Sequence, residues 1–281
     1  MSTIASAAGG RALSRRSARS GGLTRASGLG LGIAMTWFSL LVLIPLSAVV
    51  VKAAGGGIET FVETLTNGQT LAALRLTVVT SVLVTALNMV MGTLIAWVLV
   101  RDRFPGKRVL DVVIDIPFAL PTIVAGLVLL SLYGAASPVG VDVANTRKAV
   151  FLALAFVTLP FIVRTVQPVL EELESDVEEA AASLGASPFT TLRRVLLPTL
   201  APAIFAGAAL SFARGISEYG SLVLLSGNLP GRTEVTSVRV LTYLEGGDTA
   251  AAAAVATVML VVALLAIVTL DLIQRRVARR G

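Results

Sequence analysis

Apolar residues gather in six long runs, each about long enough to cross a ~30 Å hydrocarbon layer as a helix rising about 1.5 Å per residue. The runs are Gly30–Val51, Leu71–Val100, Val112–Tyr133, Val150–Val169, Leu200–Leu225 and Thr249–Ile273. Charge falls mostly between the runs. The pattern therefore predicts an all-α integral membrane protein with six transmembrane helices. Pro117 and Pro121 interrupt the third run and Pro160 the fourth. Proline in a spanning helix frees backbone carbonyls that neighbouring helices must shield, so Pro117 and Pro121 mark a candidate gating kink. Pro202 lies near the start of the fifth run, where proline is well tolerated.

The long polar interruption, Leu170–Pro198, has a pattern of its own. Leu173, Val177, Ala180 or Ala181, and Leu184 recur at helical spacing, which predicts one helix over Glu171–Leu184. Its other face is acidic: Glu171, Glu172, Glu174, Asp176, Glu178 and Glu179. Gly185 supplies a residue that adopts a left-handed helix end. Ser187 and Pro188 then start a second helix by side-chain capping and proline in the first turn, which is expected to stop before Pro198. An acidic helix suits a negatively charged lipid surface poorly. Its small residues at the tip suit the close approach of another protein.

Composition agrees with a chain in lipid. Of 281 residues, 55% are hydrophobic and 14% charged, with mean hydropathy +0.86, against about 25% charged residues in soluble domains. The net charge of +6 comes from arginines beside the apolar runs, not from a compact basic face, so no nucleic-acid partner is expected. With the amino terminus inside, sixteen Lys and Arg residues fall in inner segments and five in outer ones. The positive-inside rule then puts both termini in the cytosol of a multi-pass protein of the bacterial inner membrane. Residues 1–29 read as a disordered cytosolic tail, and 30–281 as the transmembrane domain, in which 30–51 is an extra first span, about 71–273 the core, and 170–198 a cytosolic loop.

The chain has no cysteine and no histidine. Disulfides and His-based nucleophilic sites are excluded, and no metal site is expected. No nucleophile–base constellation is left, so no catalytic residue is assigned. Gly106-Lys107 is followed by Arg108 and lacks the upstream glycine of a phosphate loop, so ATP is not bound by this chain. Arg214 and Glu218 lie at i,i+4 deep in the fifth run. They either lock the helix as an ion pair or place a cation on a path for an anion, with Ser217 and Ser221 beside them. Asp111 and Asp115 are also at i,i+4 and read as boundary charges near Arg101, Arg103, Lys107 and Arg108. Arg75 reads as an interfacial snorkeler.

Glu179-Ala180-Ala181, three residues, Gly185, nine residues, then Val195-Leu196-Leu197-Pro198 resembles the EAA loop of binding-protein-dependent ABC importer permeases. The resemblance covers about Leu71 to the carboxyl end. It implies the type I importer (MetI-like) permease core and makes Glu179, Ala180, Ala181, Gly185, Leu197 and Pro198 the elements coupling to a cytosolic ATPase. Within the family, Trp97–Arg101, Asp115–Gly126, Leu159–Arg164 and Ser211–Ser221 are most similar to sulfate/thiosulfate permeases of the CysT type. Gly215, Ser217 and Tyr219 depart from the usual Ala-Ile-Gly-Glu-Phe-Gly. The related molybdate permeases often lack a first span, so Gly30–Val51 favours sulfate; molybdate, tungstate or another solute is the alternative. The implied partners are a second, CysW-like permease, two CysA-like ATPase subunits holding ATP and Mg, and an extracytoplasmic sulfate-binding protein. A proton-driven carrier would need mid-membrane ionisable residues without a docking loop.

Overall fold

The computed structural model describes residues 25–173 and 176–278. Residues 1–24 of the tail predicted over 1–29, together with Glu174, Ser175 and residues 279–281, lie outside the described residues. The chain divides into two units, residues 1–47 and 48–281.

The described part of the first unit is helix α1 (Arg25–Phe38), a π turn (Ser39–Leu43) and the start of α2 (Ile44–Gly55). Helix begins at Arg25, five residues before the predicted edge of the first span. Its polar side chains bond inward: Thr36 Oγ1 donates to the Gly32 carbonyl at 2.8 Å, and Ser47 Oγ to the Ile44 carbonyl at 2.8 Å. In hydrocarbon, where no water can serve a hydroxyl, that arrangement is required. Together, Ser27–Gly55 is one of five helices among the described residues that are long and apolar enough to cross a membrane.

In the second unit, α3 (Gly57–Thr66) leads to α4 (Gly68–Arg101), started by Asn67, whose side chain accepts from the backbone N–H of Gln69 and Thr70. The third predicted span is not one kinked helix. It is two, α5 (Lys107–Ala119) and α6 (Thr122–Tyr133), bent by 117°. At 13 and 12 residues, neither limb alone reaches across ~30 Å. The reversal falls at Leu120 (φ −85°, ψ 136°) and Pro121 (φ −53°, ψ 134°), because a residue before proline is driven out of the helical region. Pro117 breaks nothing; it lies buried inside α5. Of the predicted kink pair, Pro121 therefore makes the bend.

Helix α7 (Arg147–Glu172) carries Pro160 and Pro168 without a break. The predicted single helix 171–184 does not form: α7 ends at Glu172, Leu173 is extended (ψ 102°), and α8 covers Asp176–Ser183. Leu173 leaves the helix to pack on the core around Leu170 and Leu99. Beyond Gly185, α9 (Pro188–Thr191) passes through a π turn (Leu192–Leu196) into α10 (Leu197–Ile216). Helix is continuous over Pro188–Ile216. The expected stop before Pro198 is absent because the π turn widens the helix there, with the Leu197 N–H donating to Leu192 O five residues back. The fifth predicted span also ends early. After α10 the backbone breaks over Ser217–Tyr219, α11 (Gly220–Leu225) follows, then α12 (Thr236–Glu245) and α13 (Thr249–Ala278).

Helices α4, α7 and α10 form the centre, joined by α13 on α10 and by α6 on α11. Hydrophobicity drives no association between helices in lipid; close packing and hydrogen bonds do. Asn88 on α4 donates to Thr158 Oγ1 at 2.9 Å and to the Ala155 carbonyl at 3.2 Å, both on α7. At Gly207 on α10, an added Cβ would meet Thr165 and the Ile162 backbone of α7. The start of α4 is pinned to α12 by buried Arg239, which bonds Gln69 and Tyr243. Arg239 is thus a structural residue, not a loop charge.

Candidate functional site

The loop at Gly185 is built from its backbone up. Gly185 has φ +80°, with the Gly185 N–H on the Ala182 carbonyl at 2.9 Å and the Ala186 N–H on the Ala181 carbonyl at 3.0 Å. This is the glycine helix end that closes α8 and releases the chain sideways. Ser187 Oγ accepts from the Thr190 N–H at 3.3 Å and starts α9, with Pro188 in its first turn. The result is a tight helix–turn–helix with Glu179, Ala180 and Gly185 exposed and Ala181 half-buried.

Two large apolar side chains flank the turn in full view: Leu184 is 89% exposed and Phe189 69%. Water does not favour that display, and an apolar tip ringed by small residues fits a protein cleft. Leu197 and Pro198 are also exposed, but they stand on the first turn of α10 and not on the loop tip. The loop is anchored to the spans by Arg101 at the end of α4. Its guanidinium meets Glu178 of α8 at 2.9 Å and the Leu173 carbonyl at 2.9 Å. Between α8–α9 and α4 lies an apolar groove of about 870 Å³ lined by Met89, Trp97, Ala182, Phe189 and Leu196.

At the far end of α10, Arg214 and Glu218 form the ion pair expected from their spacing, at 2.6 Å. Glu218 is 1% exposed, whereas the Arg214 side chain keeps 28% of its surface. The other carboxylate oxygen accepts from Ser221 N–H and Oγ, both at 2.8 Å, and the Glu218 carbonyl accepts from Ser237 Oγ at 2.6 Å. Ser221 is wholly buried and committed to Glu218, so it presents no hydroxyl to a passing solute. Ser217 is exposed and donates to the Arg214 carbonyl at 3.1 Å. The buried carboxylate thus fixes Arg214 and leaves part of that side chain uncovered. The α6 limb presses on the same place: an added Cβ on Gly126 would stand 2.7 Å from the Ser221 carbonyl.

One network was not legible in the loop charges. Asp111 and Asp115 pair with Arg164, not with Arg101, Arg103, Lys107 or Arg108. Arg164 Nε and Nη2 each donate to Asp115 at 2.7 Å, Nη1 donates to Asp111 at 2.7 Å, and Gln167 accepts at 2.6 Å. One turn on, Phe118 stacks edge-on against Phe161 at 4.9 Å. The signal in sequence was the i,i+4,i+7 register of Asp111, Asp115 and Phe118, which needs a helix partner to read. Among the described residues no cluster of three or more Asp and Glu side chains is placed to hold a metal.

Among the described residues, five membrane-length helices, one sharply bent helix pair and a protruding helix–turn–helix make up a multi-pass membrane protein. The chain belongs to the family described as binding-protein-dependent transport system inner membrane component, whose model matches residues 88–280. It is 42% identical to the sulfate transport system permease protein CysT of Escherichia coli K12, over 90% of this chain and 94% of that one. It is 43% identical to the protein of the same name from Synechocystis, over 86% and 87%. Its fold matches a chain of the bacterial alginate ABC transporter with TM-score 0.73 and 19% identity, covering 89% of this chain and 94% of that one.

Proposed function

We propose that this chain is the pore-forming permease subunit of an ATP-driven importer for sulfate and thiosulfate. The observation that carries the reading is the 42% identity over nearly the whole chain to a permease named for sulfate transport. A second, CysW-like permease completes the pore, and an extracytoplasmic binding protein delivers the anion. Two CysA-like ATPase subunits bind ATP and Mg. Both termini lie in the cytosol of a bacterial cell. Arg164 and Arg239 are bonded inside the fold, so one charge drops from each side of the Lys and Arg tally and the inner excess stands.

The exposed Leu184–Phe189 tip enters a cleft on the ATPase. Closure of the ATPase pair moves α9, and the unbroken helix carries that displacement to Arg214 at its far end. There the partly exposed Arg214 side chain lowers the barrier for a dianion, while Glu218 holds it in place.

The test is radiolabelled sulfate uptake by the reconstituted complex, with thiosulfate and molybdate as competitors. Saturable, ATP-dependent sulfate uptake blocked by thiosulfate is expected. Uptake of molybdate in preference to sulfate would sink the assignment.

A further inference from the structure

At the end of the fold remote from Gly185, an open groove of about 760 Å³ runs between α4 and the start of α7. Arg75 lies 26 residues before Arg101, about 39 Å along α4. The groove is lined by Arg75 of α4 and by Arg147 and Lys148 from the first turn of α7; no Asp or Glu lines it. None of the three makes an ion pair among the described residues. Arg147 is turned by one bond, Nε to the Arg232 carbonyl at 3.1 Å, which leaves both terminal nitrogens of its guanidinium uncommitted. The positive end of the α7 dipole points to the same place, where cations are unfavourable and an anion is favoured.

A second observation is independent of charge. Thr80 lines the groove, is 7% exposed, and makes no hydrogen bond among the described residues. Several helical threonines here instead donate to the carbonyl four residues back, as Thr77 does to Ala73 and Thr93 to Met89. The Thr80 side chain is buried, but its hydroxyl oxygen is not sealed off and opens on the groove with its proton available to a ligand. Leu76, Val79 and Phe151 form apolar walls that strengthen any charge attraction inside.

We infer that Arg75, Thr80, Arg147 and Lys148 form a binding site for a tetrahedral oxyanion group. Three cationic side chains, one hydroxyl donor and a helix N-terminus match the charge and acceptor set of sulfate or of a phosphate ester. As an entry site for the cargo it rests on the reading under Proposed function; as an oxyanion site it does not. The same chemistry would hold the headgroup of an acidic lipid.

The chain has three lysines, Lys52, Lys107 and Lys148, so amine acylation followed by mass spectrometry reads this site directly. The chain is purified from membranes with its bound partners and placed in nanodiscs of phosphatidylcholine. Sodium sulfate is titrated against sodium chloride of equal ionic strength. Labelling of Lys148 is expected to slow about threefold when sulfate reaches about twice its Kd, with Lys52 and Lys107 unchanged. Thr80→Val and Arg75→Gln are expected to abolish the protection. Protection of Lys148 only when phosphatidylglycerol is added assigns the site to a lipid headgroup. Equal protection of Lys107, protection retained in both variants, or none with either anion overturns the site. Sulfate uptake measured alongside separates the two readings: loss of transport with Lys148 protection intact defeats the transport assignment and leaves the site standing.

Discussion

Arg164 holds Asp115 with two parallel hydrogen bonds of 2.7 Å, joining α7 to α5 across 49 residues of sequence. With Asp111 on the same guanidinium, one cation answers two carboxylates and ties the short limb α5 to the central helix. Arg164→Ala leaves both acids unpaired at a half-buried interface. We expect a loss of about 1 kcal/mol, measured as a lower unfolding midpoint of the solubilised chain. Arg164→Lys should recover only part of it, because a point charge cannot reproduce the fork. Full recovery by lysine would show that geometry is unimportant there.

Arg101 and Glu178 hold the loop to α4 at a partly exposed site. Their coupling energy in a double-mutant cycle should be about 1 kcal/mol or less. The informative effect is on coupling: Arg101→Ala should reduce transport per ATP hydrolysed while the spans remain inserted. An unchanged ratio of anion transported to ATP consumed would rule the contact out as a transmission point.

Gly185 is left-handed with open space around it. Gly185→Ala therefore costs only backbone strain, about 1 kcal/mol, and should weaken copurification with the ATPase subunit without unfolding the membrane part. Gly185→Pro cannot adopt the required φ and should abolish that association. Normal ATPase recovery with the proline variant would show that the turn is not the docking element.

Gly126 is different, because its constraint is steric. Gly126→Ala pushes a methyl into the Ser221 backbone, and overpacking of this kind costs about 1–3 kcal/mol. Ser221 caps Glu218, so the variant should impair uptake as well as stability. A thermal midpoint and uptake both equal to the unsubstituted protein would contradict the close approach of α6 and α11.

Arg214→Ala should abolish uptake while binding-protein docking survives. Glu218 would be left buried without its cation, so the double variant Arg214→Ala/Glu218→Gln is the companion. If the double variant restores the thermal midpoint but not uptake, the cation acts in transport. Restoration of both would make the pair purely structural.

Local signals were legible in the sequence and partner-dependent ones were not. Four of the six spans followed from apolar runs, the Gly185 end from a glycine between two helical patterns, and the Arg214–Glu218 pair from i,i+4 spacing. Each of these depends on neighbours within one turn. The Arg164 network, the commitment of Ser221 to Glu218 and the burial of Arg239 depend on other elements of the fold, and even the i,i+4,i+7 register of Asp111, Asp115 and Phe118 names no partner. Prolines misled in both directions. Pro198 sits in a helix that widens to admit it, Pro117 bends nothing, and Pro121 reverses the chain by acting on Leu120 before it.

The π turn at Leu192–Leu196 has a consequence for phase. It spends one residue more than an α-helical turn, so everything from Leu197 onward is rotated by about 100° from the azimuth an unbroken helix would give. The face of α10 that carries Leu200, Ala208, Ser211 and Phe212 into the core is set by that single added residue. Removing one residue there would keep the helix continuous and turn the wrong side of it inward.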